Sequence, residues 1–81
     1  MDLLNKELVA NTLYAQYASE EKMFWLLAKQ YIKSYDKAQF EEARSIKKEQ
    51  DAIQAKMQAI NESRVHLGIS EHLWNTVSLN F

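Results

Sequence analysis

Ser34-Tyr35-Asp36-Lys37-Ala38-Gln39-Phe40 is the stretch whose reading sets the architecture. With Asp36 at the N-cap, Gln39 falls at N3, and the two form a capping box in which each side chain bonds the other's backbone N–H. Tyr35 and Phe40 then occupy N′ and N4, the two positions of a hydrophobic staple. The spacing predicts a helix that starts at Asp36 and an earlier one that ends near Lys33. A connection of about two residues forces the pair into an antiparallel hairpin.

Working outward, the next punctuation is Gly68, the only glycine in 81 residues. It follows a helical pattern ending near Leu67 and precedes Ile69, the arrangement of a left-handed C′ glycine with an apolar C″ residue. Ser70 suits the N-cap of a short helix. The expected fold is all-α, a single domain over 1–81. It has long helices at about 3–33 and 36–67 and a short one at about 70–76. The alternating Val77-Ser78-Leu79-Asn80-Phe81 reads as an extended tail.

Composition removes other classes. The chain has no Pro and no Cys. A sequence almost without turn residues is not a many-stranded sandwich, a barrel or a Gly-rich nucleotide-binding fold. Without Cys there are no disulfides and no zinc–thiolate sites. The longest apolar run, Met23 to Ala28, is too short to span a bilayer, and Asp2, Lys6 and Glu7 stand where a signal peptide would be apolar. The expectation is a cytoplasmic protein with no membrane contact.

The two helices differ in their apolar load. Helix two keeps a seven-residue repeat, with Ile46, Ile53, Ile60 and Leu67 at one position and Ala43, Gln50, Met57 and Arg64 at the other. That is a narrow coiled-coil seam on a polar rod. Helix one is broader. Leu3, Ala10, Tyr17, Phe24 and Tyr31 repeat every seven residues, Leu13, Tyr14, Trp25, Leu27, Ala28, Ile32 and Tyr35 widen the stripe, and Leu4, Leu8 and Leu26 fall nearly opposite its centre. One narrow seam does not cover this surface. The expectation is self-association, most simply a homodimer forming a four-helix bundle, with Tyr14, Tyr17, Phe24, Trp25 and Tyr31 as candidate contacts. Leu73, Trp74 and Phe81 are expected to pack on the open end near Leu3, Leu4 and Leu67.

Candidate chemistry is sparse. Glu21 lies inside the apolar stripe, and the hairpin register sets it opposite Gln50; the pair reads first as a buried polar contact that fixes register and second as a functional carboxylate. A ferritin-like metal site needs Glu-x-x-His pairs, which neither His66 nor His72 supplies. Glu62, His66 and His72 leave a small metal-binding bundle as a third-ranked reading. No Ser/His/Asp spacing suggests nucleophilic catalysis, so no catalytic residue, metal or cofactor is expected.

Net charge is −1, but its distribution is uneven. Residues 22–48 carry Lys22, Lys29, Lys33, Lys37, Arg44, Lys47 and Lys48 against Asp36, Glu41 and Glu42, a net +4 at the hairpin tip. The remaining segments meet at the base with a net −5. This is either a solvated face with i,i+4 pairs such as Lys37–Glu41, or a docking tip made of Lys29, Lys33, Lys37, Arg44, Lys47 and Lys48. The functional expectation is a non-enzymatic protein–protein interaction module. It is read as a small homo-oligomeric regulator, adaptor or inhibitor of phage or plasmid type, with itself and an acidic protein as partners. The alternative is a nucleic-acid or nucleotide binder using the basic tip or the Tyr-rich helix.

Overall fold

The computed structural model describes residues 3–81. Helix α1 spans Leu3–Asp36, α2 spans Phe40–His66 and α3 spans Glu71–Ser78. The long helices form the antiparallel hairpin. Asp2, and the side chain of Leu3 that is expected to meet the C-terminal segment, lie outside what the structure describes.

The hairpin turn differs from the capping-box expectation. Asp36 closes α1 instead of capping α2, and α2 begins at Phe40. Gln39 N–H donates to the Ser34 carbonyl at 2.8 Å and Ala38 N–H to the Tyr35 carbonyl at 3.0 Å. This bond pair is a Schellman motif with Ala38 at C′, at φ 59°. The motif satisfies the last carbonyls of α1, and extending α1 by three residues buries Ser34 against α2. Gln39 sits at the α2 N-cap without a side-chain bond, so the predicted box does not form. The staple survives: the Tyr35 and Phe40 rings meet edge-on at 5.3 Å across the turn.

The second turn repeats the motif. Ile69 N–H donates to the Arg64 carbonyl and Gly68 N–H to the Val65 carbonyl, both at 3.1 Å, with Gly68 at φ 73°. Ser70 caps α3, its hydroxyl accepting from Leu73 N–H at 3.1 Å. Here the sequence expectation holds in detail, except that α3 continues through Val77 and Ser78 where an extended tail was expected.

Two apolar clusters hold the hairpin. Near the tip, Leu27 packs with Ile46 and Ile53, flanked by Phe24, Tyr31 and Met57. Near the base, Ala10, Ile69, Trp74 and Val77 pack with Val9, Leu13, Tyr14, Tyr17, Ile60 and Leu73. The C-terminal segment does not close the open end, where Leu4 stays exposed. It turns back along α1, where Trp74 packs against Tyr14 and Tyr17 and is removed from water. The molecule measures 53 × 22 × 15 Å, and among the described residues no large side chain is fully buried.

Candidate functional site

At the tip, Tyr31, Tyr35, Phe40, Ala43, Arg44 and Lys47 line an open hollow of about 320 Å³. Tyr31 stacks on Tyr35 at 6.1 Å, and Phe40 closes the row. The left-handed turn at Ala38 positions this row, since it brings the start of α2 back against the end of α1. Lys29, Lys33, Lys37, Arg44, Lys47 and Lys48 are all exposed; Arg44 and Lys47 line this hollow, while Lys33 and Lys37 line a second one beside Ser34 and Glu42. Among the described residues one ion pair forms, Lys47 with Asp51 at 3.4 Å, and both partners are exposed. The Lys37–Glu41 pairing does not appear, because Lys37 lies in the turn and not on a helix. The tip's positive charge is thus largely uncompensated by direct contacts.

The α1 aromatics divide into two groups. Tyr14 and Tyr17 lie under α3: Trp74 meets Tyr14 at 4.9 Å and Tyr17 at 6.0 Å, and Phe81 meets Tyr14 at 5.1 Å. Burial pushes the Tyr17 phenol above its ordinary value of 10.0, with smaller contributions from the Glu21 charge and from Tyr14. Phe24 and Tyr31 pack half-buried on the α2 seam. Trp25 does neither. It meets Phe24 edge-on at 5.3 Å but remains 60% exposed, with Ile32 at 58% one pair of turns further along.

Gln50 is buried, yet its amide donates to the Phe24 carbonyl at a long 3.5 Å and not to Glu21. Glu21 is half-buried beside Tyr17. The expected Glu21–Gln50 contact is replaced by a bond to backbone, since α1 presents a carbonyl at that level. Sequence reasoning placed Arg64 on the seam but assigned it no role. Its Cζ lies 5.7 Å from the Trp74 ring centre, and its guanidinium donates to the Ile69 carbonyl and the Asn61 amide oxygen, tying the second turn to α3. The Gly68–Ser70 turn between them is legible in the sequence; the packing of α3 along α1, which sets Trp74 beside Arg64, is not.

Among the described residues, no group of three or more His, Asp or Glu side chains gathers as metal ligands would. Glu62 accepts from Gln58, while His72 lines a base hollow with Lys6, Glu7 and Thr76. Every buried side-chain nitrogen or oxygen among these residues has a partner. No helix is long and apolar enough to cross a membrane. Against family models, curated proteins and solved structures alike, the chain shows no match.

Proposed function

We propose that this chain is a non-enzymatic protein–protein interaction module, cytoplasmic and homo-oligomeric, that acts as a small regulator or adaptor and offers its basic tip to an acidic protein. One observation carries the reading: α1 leaves Leu4, Leu8, Trp25, Leu26 and Ile32 exposed while α2 and α3 cover its other face. Isolated exposed apolar residues are ordinary, but a band of them along one long helix marks an interaction surface. The interior points the same way, since no large side chain among the described residues is fully buried. Light scattering at micromolar concentration is expected to report at least a dimer. A monomer mass, with Trp25 emitting as a solvent-exposed indole, rejects the self-association.

A second reading has its own observation. The Tyr31–Tyr35–Phe40 row lies beside Arg44 and Lys47, and aromatic faces next to cations are how single-stranded nucleic acid is held. Oligonucleotide affinity falling steeply with salt supports it; no affinity at low salt removes it.

A further inference from the structure

We infer that two copies pair antiparallel through the outer face of α1, with Trp25 of each copy seated in the hollow that Ala15, Ala18, Ser19, Lys22 and Phe81 form on the other. The inference rests on the self-association just proposed and adds its geometry.

The outer face of α1 carries its own heptad seam. Leu4, Leu8, Asn11, Ala15, Ala18, Lys22, Trp25, Lys29 and Ile32 follow one another by alternating steps of four and three. All are exposed except the half-buried Ala18. Such a seam is where a second helix packs its side chains into holes. No charged residue occurs between Leu8 and Ser19, an unusual run for a helix whose outer face meets water. The seam spans about 42 Å at 1.5 Å per residue, nearly the whole molecule.

The hollow lies on this seam. It has a volume of about 330 Å³, and its floor is made by the short side chains of Ala15, Ala18 and Ser19. Phe81, itself 59% exposed, walls it on one side, and Leu79 beside it is 86% exposed. The hollow has room for a large apolar side chain, and the chain's largest exposed apolar group is Trp25, on the same seam.

Direction and register follow from size and charge. Pairing about a two-fold axis level with Glu20 sets Trp25 of one copy against Ala15 of the other, Ile32 against Leu8, Lys29 against Asn11 and Lys22 against Ala18. Each large or long side chain then faces a smaller or uncharged one, and each contact recurs by symmetry. Lys33 comes level with Glu7, and the +4 tip lies over the −5 base. Parallel pairing would instead set Trp25 on Trp25 and stack Lys22, Lys29 and the tips on their own copies, with like charges opposed.

The absence of native cysteine makes the arrangement directly testable. Leu8→Cys and Ile32→Cys are prepared separately and oxidised mildly, alone and mixed. Antiparallel pairing predicts a disulfide-linked heterodimer from the mixture and none from either variant alone. In this register like positions lie about 36 Å apart along the axis, against the roughly 7 Å Cα separation a disulfide tolerates. Covalent dimers from Leu8→Cys alone establish parallel pairing and overturn the inference while leaving self-association intact. A dimeric wild type in which no combination cross-links overturns the seam itself. A monomeric wild type overturns both readings. Trp25→Ala, whose exposed site leaves the fold and its helical circular dichroism intact, should raise the dimer dissociation constant at least about tenfold. An unchanged constant removes Trp25 from the hollow.

Discussion

Ala38 at φ 59° and Gly68 at φ 73° hold the same C′ position in two copies of one motif. A left-handed conformation costs an L-residue about 1–2 kcal/mol, and glycine bears none of it. Ala38→Gly should therefore stabilise the protein by about 0.5–1 kcal/mol after the added freedom of the unfolded chain is subtracted. Gly68→Ala should destabilise it by about 1 kcal/mol for the converse reason. A Cβ at Gly68 would meet only the Lys6 ammonium at 3.7 Å, so the penalty is conformational and not steric. Thermal melts should move in opposite directions by about 4–8 °C per kcal/mol, and parallel shifts would refute the assignment. The same pair shows what the sequence could convey at this scale. Gly68 announced its turn because glycine is common there. Ala38 could not, and Asp36 with Gln39 offered a plausible box that the Schellman bonds outcompete. Tyr17 adds a pH dependence. Its phenol is held above 10.0 in the fold, so the unfolded chain loses that proton first. The stabilisation is complete below pH 10.0 and is lost as pH rises through the folded value. Urea melts between pH 8 and 11 should show Tyr17→Phe losing less stability over that window than wild type.

Helix α3 is eight residues long and carries much of the base cluster. Trp74 is 8% exposed and packs on Tyr14, Tyr17 and Arg64. Trp74→Ala should cost about 3–5 kcal/mol, a large part of the roughly 4–12 kcal/mol expected for a chain of this size. Removing residues 70–81 should lower the melting temperature further or cause aggregation, by uncovering Tyr14 and Tyr17. A truncated protein that melts like wild type would mean α3 contributes nothing to the fold. The existence of α3 was legible, because Gly68 and Ser70 bracket its start. Its seat was not. Helix one offers apolar residues around most of its circumference, so several faces could have received Trp74. Helix two, whose recurring large apolar residues keep to two heptad positions, left no such choice, and Ala43, Ile46, Gln50 and Ile53 are buried where the repeat placed them.

Seen whole, the molecule is a thin rod with a radius of gyration of 15.9 Å, against about 12 Å for a compact chain of 81 residues. Its charge is divided along that rod, and the division survives folding because few cations find partners. Reversing Lys33, Lys37 and Lys47 to Glu takes the tip from +4 to −2. The single ion pair disturbed is Lys47–Asp51, exposed at both ends and worth about 0–1 kcal/mol. Lys33 and Lys37 are exposed and take part in no ion pair among the described residues, so circular dichroism and the melting temperature should stay close to wild type. Association should respond differently. In the antiparallel dimer each tip lies over an acidic base, so the reversal converts attraction into repulsion; an acidic partner at the tip would be repelled in the same way. The variant should associate more weakly at low salt and recover as salt is added, because screening over about 10 Å at 0.1 M relieves the new repulsion. Wild type should show the opposite trend and weaken with salt. A folded triple variant whose association matches wild type at every ionic strength would move the functional surface off the tip and onto the apolar seam of α1 alone.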